Sequence, residues 1–132
     1  MTPNNGGTPR LKYTCPCCGC IVFAEPPGSY DVCPVCSWED DALQLEFATT
    51  LRGGANGETL FAAQRRCMEN AYAAASGRGA VIRPPGVRRD SGWRPIDPVL
   101  DSFEDWHAET RRRAPDDPQR LYYWRPTFWH PD

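Results

Sequence analysis

Apolar and polar positions change rhythm several times along the chain. Residues 21–23, Ile21, Val22 and Phe23, form a short β-branched and aromatic run, and "EPPGS" follows at 25–29. This pattern predicts a strand, a turn and a second short strand, a hairpin with cysteines at each base. Residues 37–58 read as a loop holding one short element. Over 60–75 the chain is rich in Ala, Thr59 precedes it, Gly77 and Gly79 follow it, and Phe61, Met68, Tyr72 and Ala75 recur at about helical spacing. The pattern predicts the main helix there, capped by Thr59, with that stripe against the core.

The stretch 83–98 carries four Pro and two Gly and predicts an extended connection. A second helix is predicted over 103–113, with Ser102 as cap, Glu104 and Asp105 in its first turn, Arg111, Arg112 and Arg113 in its last, and Pro115 as its stop. In "LYYWRPTFWH", five of ten residues are aromatic. It predicts a strand over 121–125, placed at an edge by Pro126. Residues 1–10 hold two Pro, two Gly and two Asn and read as a flexible lead.

Charge narrows the function classes. Fifteen basic residues stand against seventeen acidic ones, so the total does not favour a polyanion or an anionic membrane as partner. Fourteen of the basic residues are Arg, with Lys12 the exception. The N-terminus lacks the features of a secretory signal and no run approaches the ~18 apolar residues of a membrane span, so a cytoplasmic protein with no membrane partner is expected. A reducing cytosol disfavours structural disulfides. The seven cysteines therefore point to metal binding or redox chemistry.

Their spacing favours metal. "CPCCGC" spans 15–20 and "CPVC" spans 33–36. Two Cys-x-x-Cys knuckles aim four sulfurs at one centre, which is the ligand set of a structural zinc site. Cys15, Cys18, Cys33 and Cys36 are the expected ligands of one structural Zn2+ per chain. Cys17 and Cys20 are spaced as an alternative first pair. Pro16 and Gly19 favour the other choice, because a knuckle uses Pro to fix φ after its first ligand and Gly for the tight turn after its second. Cys17 and Cys20 are then spare thiols, and Cys67, in the predicted helix, is a small buried hydrophobe.

Two other chemistries compete. "CPVC" alone has the form of a dithiol redox site, but such a motif normally opens a helix after a strand, and this one is twinned with a second pair. Hydrolysis needs an open zinc position and a base, whereas four thiolates leave no vacancy, and His107 and His130 lie far away in sequence. Zinc also compensates for the thin apolar content of residues 11–38, since a structural site is worth about 10–16 kcal/mol in small peptides. The expected fold is a small α+β domain: a zinc-ribbon-like β-hairpin with two cysteine knuckles, packed with the main helix and a C-terminal helix plus aromatic strand. One domain over 11–132 is expected, comprising the zinc-ribbon-like part (11–50), loop and main helix (51–82), Pro-rich connection (83–100) and C-terminal helix and strand (101–132).

"CPCCG", "YDVCPVCSWEDD", "GGANGETLFAAQ" and "AVIRPP", in that order over residues 15–85, resemble the bacterial cysteine-rich CPCC family of small proteins. The resemblance implies that the CPCC and CPVC cysteines are the defining feature, and it brings no enzymatic activity with it. Against the family pattern, Cys20 and Cys67 stand where an aromatic residue is usual. The likeness also draws attention to Trp38, which is expected to cover the metal site, and to Glu39, Asp40 and Asp41, which either cap the next segment or offer an acidic surface. Gly53, Gly54 and Asn56 are expected to supply the backbone angles of entry into the main helix.

The favoured reading is a non-catalytic, zinc-stabilised module that binds another protein, such as an immunity or antitoxin-type protein of a bacterial competition system. Its partner surface would combine Trp38, Glu39, Asp40 and Asp41 with Tyr122, Tyr123, Trp124 and Trp129, since Tyr and Trp dominate interface hot spots. A nucleic-acid-binding ribbon is the alternative, with Arg88, Arg89, Arg111, Arg112 and Arg113 on phosphates and the tail aromatics stacked on bases. A dithiol oxidoreductase acting through Cys33 is a third.

Overall fold

The computed structural model describes residues 11–75 and 86–129. The expected flexible lead, the Tyr72 and Ala75 side chains, Gly77, Gly79, "AVIRPP" and His130 lie outside what it describes. The elements in chain order are β1 (Tyr13–Thr14), β2 (Ile21–Phe23), α1 (Ala42–Glu46), α2 (Leu60–Ala75) and a single 3₁₀ turn at Pro118–Leu121. The fold class is α+β: the described residues form one antiparallel two-stranded sheet, two helices and a long irregular tail wrapped around them.

The predicted strand at 21–23 is present, but its partner precedes it. β1 pairs with β2 in the register Tyr13↔Phe23 and Thr14↔Ile21, so the first cysteine cluster is the tip of this hairpin rather than its base. The second cluster repeats the construction on a smaller scale, between the bridged residues Val32 and Glu39. In both, the first cysteine N–H donates to the carbonyl five residues on, Cys15 to Cys20 and Cys33 to Trp38, each at 2.8 Å. In both, the residue four on donates back to the cysteine carbonyl, Gly19 to Cys15 at 2.8 Å and Ser37 to Cys33 at 2.9 Å. That fourth residue must be left-handed to close the turn, with φ of 81° at Gly19 and 69° at Ser37. Trp93 lies over Gly19, where a Cβ would sit 2.5 Å from its ring, and its indole N–H donates to the Pro16 carbonyl at 3.0 Å.

α1 is the short element anticipated within 37–58. Asp41 caps it, accepting from the N–H groups of Leu43 at 2.9 Å and Gln44 at 3.4 Å. The other Asp41 oxygen accepts from the Ala55 N–H at 2.9 Å, while Asn56 both accepts from and donates to the Glu39 backbone at 2.9 Å. Fully buried Gln44 completes the lock through the carbonyls of Leu51, Asn56 and Glu58. "WEDD" and "GGAN" are thus two halves of one hydrogen-bonded assembly. Gly53 supplies a left-handed angle, φ 79°, as expected; Gly54 supplies space, because a Cβ there would meet Asp41 at 2.7 Å.

α2 occupies the predicted span, and Thr59 caps it by accepting from the Ala62 N–H at 3.1 Å. Its buried face differs from the predicted stripe. Leu60, Ala63 and Gln64 are buried, Cys67 is half-buried, and Met68 is 43 % exposed. These inward positions follow the 0, 3, 4, 7 spacing of a helix face, but small and polar residues hold most of them, so the apolar pattern marked the neighbouring stripe. Gln64 is the centre of that face: its amide donates to the Pro16 carbonyl and the Tyr123 hydroxyl, each at 2.9 Å, and its oxygen accepts from the Ile96 N–H at 2.8 Å.

The C-terminal helix and strand are both absent. Residues 103–113 are irregular, with Trp106 edge-on to Phe47 at 5.1 Å and Arg111 stacked over both rings. The Trp106 N–H donates to the Thr50 hydroxyl at 2.9 Å. Good capping and charge placement were present, but the tertiary contacts of an aromatic-rich segment outweighed them. Over 121–125 the chain turns rather than extends, with the Arg125 N–H donating to the Tyr122 carbonyl at 3.2 Å, and Tyr122 and Tyr123 are both buried. Asp117 starts the 3₁₀ turn there, accepting from the Gln119 N–H at 3.0 Å. The Tyr122 hydroxyl then donates to the Thr14 carbonyl at 3.1 Å, and the Tyr123 hydroxyl to the Arg94 carbonyl.

The described part of the Pro-rich connection is extended and makes a third rail beside β2: Ile21 donates to Arg88, and Asp90 to Gly19, each at 2.8 Å. The Asp90 carboxylate accepts from Thr14 at 2.8 Å and from the Trp124 indole at 3.1 Å, with Arg125 at 3.6 Å. Among the described residues no helix is long and apolar enough to cross a membrane.

Candidate metal centre

The two knuckles converge. The sulfurs of Cys15, Cys18, Cys33 and Cys36 all lie within 4.8 Å of one another, and these four could hold a metal ion. Across the two knuckles, Cys15 to Cys36 is 3.6 Å and Cys18 to Cys33 is 3.8 Å. All seven cysteines are free thiols. Cys15, Cys18 and Cys33 are buried and Cys36 is half-buried, so the centre sits at the edge of the core with one ligand toward the outside.

The electrostatics of this cluster call for a cation. Burial, and then the neighbouring sulfurs, push the Cys15 thiol well above its ordinary value. Hydrogen bonds from Cys15, Cys18 and Cys36 hold the Cys33 thiol far below its own, and the Val35 N–H adds a further donor at 3.3 Å. Four sulfurs so close resist ionising together, because a second negative charge would meet the first at contact distance in a poorly solvated place. A divalent cation removes that conflict and lets all four ionise.

The alternative pair, Cys17 and Cys20, is turned out of this centre. Cys20 is fully buried and bridges to Arg89 in the third rail. Cys17 is 2 % exposed. Cys67 is half-buried on α2 and lines a cavity together with Cys36, Arg66 and Asn70, a placement missed in the sequence. The signal was available, since Cys67 shares a helix face with Leu60 and Gln64.

The expected partner surface is largely interior. Trp38, Asp40, Asp41, Tyr122, Tyr123 and Trp129 are buried, while Glu39 and Trp124 are half-buried. Asp41 caps, Asp40 accepts from the Ser29 hydroxyl at 2.8 Å, and the tyrosines tie the tail to β1 and to the connection. Trp38 belongs to the same buried cluster as the cysteines. The arginines of the alternative reading are exposed, yet Arg111 stacks on Phe47 and Trp106, Arg112 on Trp129, and Arg113 pairs with Asp116. His107 is exposed, with its N–H donating to the Asp105 carboxylate.

A search of curated proteins finds no match to the chain. A family model does match, over residues 13–86, a span that holds β1, both knuckles, the Asp41–Asn56 lock and α2. With the converging sulfurs inside the matched segment and the match covering more than half of its length, this chain belongs to the Cysteine-rich CPCC family.

Proposed function

We propose that Cys15, Cys18, Cys33 and Cys36 bind one structural zinc ion per chain, in a zinc-ribbon-like arrangement, and that the protein is a non-catalytic module that binds another protein. The convergence of four sulfurs from two matching knuckles carries the reading. A tetrahedral ion with metal–sulfur bonds of about 2.3 Å has sulfur–sulfur edges of about 3.8 Å; Cys15 to Cys36 and Cys18 to Cys33 are 3.6 and 3.8 Å apart, and all four sulfurs lie within 4.8 Å of one another. Four protein thiolates fill a tetrahedral shell, which leaves no position for a reactive water and suits zinc to holding the fold.

Metal content per chain tests this on the wild type, Cys15→Ser and Cys17→Ser side by side. One zinc in the wild type and Cys17→Ser, with loss of metal and of tryptophan near-UV circular dichroism in Cys15→Ser, is the expected outcome. Metal-free wild type purified under reducing conditions would overturn it.

Partner binding is supported by exposed apolar side chains beside the second knuckle, Tyr30 (56 %) and Val32 (57 %), and by Leu43 (46 %) on α1. Intramolecular stacking of Arg111 and Arg112 favours a protein partner over a nucleic acid. An immunity or antitoxin-type role is the concrete form of this reading. Copurification with, and neutralisation of, a toxin encoded beside it would bear that form out, and failure on both counts would remove it.

A further inference from the structure

The turn at 97–101 carries two apolar side chains that the fold does not use. Val99 is 88 % exposed and Leu100 75 %, the highest values among the large apolar residues described. The turn itself is built by its other residues. The Asp97 carboxylate accepts from the N–H groups of Val99 at 2.9 Å and Leu100 at 3.3 Å, and the Asp97 carbonyl from those of Leu100 at 3.2 Å and Asp101 at 2.9 Å. The Asp101 carboxylate accepts from the Asp97 N–H and from both terminal nitrogens of Arg94, each at 2.7 Å. Pro98 fixes one φ inside the turn, and Ile96, which leads into it, is buried with its N–H on Gln64. Val99 and Leu100 therefore stand on a support that folding has already ordered, which lowers the entropic cost of using them in a contact.

A complement to this knob lies on the same molecule. Leu43, Phe47 and Trp106 line a groove of about 400 Å³, with Glu46, Arg111 and Arg112 around them. Leu43 is 46 % exposed there. In formal charge the groove holds two Arg against one Glu, and the turn holds two Asp against the Arg94 that pairs with one of them, so a positive groove stands opposite a negative knob. Stacking on Phe47 and Trp106 fixes the Arg111 charge at the groove. The chain does not fill its own groove with this turn, since both knob side chains remain exposed. Leu100 is six residues from Trp106, which at about 3.5 Å per residue keeps knob and groove within roughly 21 Å of each other. Two copies related by a two-fold axis can then each fill the other's groove, and a reciprocal contact of that kind closes at two subunits. We propose that this protein self-associates as a two-fold dimer in which Val99 and Leu100 of each copy enter the Leu43–Phe47–Trp106 groove of the other. With two apolar side chains crossing in each direction, the contact is smaller than a permanent interface, so the dimer is reversible and depends on concentration.

Sedimentation velocity on the full chain, from micromolar concentration to about 1 mM, tests this beside a Val99→Ser/Leu100→Ser double variant and Leu43→Glu. The wild type is expected to pass from monomer toward dimer as concentration rises. The double variant is expected to dimerise about 100-fold more weakly or worse, since burying each such side chain is worth roughly tenfold or more in affinity. Leu43→Glu, which sets a negative charge in the groove, is expected to weaken dimerisation as far. Near-UV circular dichroism is expected to stay unchanged in both variants, because all three side chains are exposed in the single chain. An equimolar mixture of the two variants is expected to associate again, more weakly than wild type, because one of the two contacts then joins an intact knob to an intact groove. Leu43→Gln takes the place of Leu43→Glu if the latter fails to fold. A monomer across the whole concentration range, a dimer that either variant leaves unchanged, or a mixture no more associated than its parts would each overturn the proposal.

Discussion

Glu46 is a single residue that costs the molecule stability. It ends α1 at 8 % exposure, against Phe47, Trp106 and the stem of Arg111 around a cavity of about 400 Å³. Burial first, and the nearby Glu104 second, raise its carboxyl above the ordinary value, while Arg111 opposes them. A carboxyl whose folded value is raised favours the folded state below its unfolded value and loses that contribution as pH rises through the folded one. The charged form present at neutral pH is therefore the unfavourable one. Glu46→Gln is expected to raise stability at pH 7 by about 0.5–1 kcal/mol, with the gain shrinking toward zero as pH is lowered to about 4.5. Urea denaturation of both proteins at two pH values checks this, and a less stable Glu46→Gln at pH 7 would contradict it. Nothing local marks Glu46 as buried. Its environment comes from Trp106 and Arg111, sixty residues away along the chain.

At the scale of elements, the structure is set less by helix or strand propensity than by hydrogen-bonded turns. The two knuckles close on backbone hydrogen bonds, the Asp41–Asn56 lock and the capped 3₁₀ turn close on named side chains, and the two-stranded sheet is too small to stand alone. Gly54 tests the lock. A Cβ there would lie 2.7 Å from the Asp41 carboxylate and 2.8 Å from the Gln44 amide carbon, and both groups are held by several hydrogen bonds and cannot move aside. Gly54→Ala is expected to destabilise by about 1–3 kcal/mol. Gly57→Ala, three residues away with nothing within 4 Å of its Cβ, is expected to change stability by less than about 0.5 kcal/mol. Equal thermal midpoints for the two variants would show that the lock does not bear on folding. "WEDD" was legible as a possible cap, and Asp41 fills that role. The reciprocal bonds to Asn56 were not legible, because they depend on two loops meeting.

The whole molecule depends on its tail. The family match ends at residue 86, yet residues beyond it supply Trp93 over Gly19, Asp90 beneath Thr14, Ile96 on Gln64, and Tyr122 on the Thr14 carbonyl. These contacts cover the outer side of the first knuckle and the inner face of α2. A chain ending after residue 86 would leave the Thr14 carbonyl without the Tyr122 hydroxyl and the Gln64 side chain without Tyr123 and Ile96, and each unmet buried polar group costs about 1–3 kcal/mol. Such a truncation is expected to lose cooperative unfolding even with zinc supplied. A sharp denaturation transition in the truncated protein would show that residues 13–86 fold alone.

Cysteine spacing, together with Pro16 and Gly19, specified both knuckles, because a Cys-x-x-Cys turn is closed by backbone bonds within six residues and needs no distant partner. Alanine content and Thr59 specified α2 for the same local reason. The hairpin register, the inward stripe of α2 and the path of residues 101–129 came from tertiary packing. In each, the deciding contacts join residues far apart in sequence, and two buried tyrosines or one buried glutamine outweighed the local preference for strand, helix or solvent.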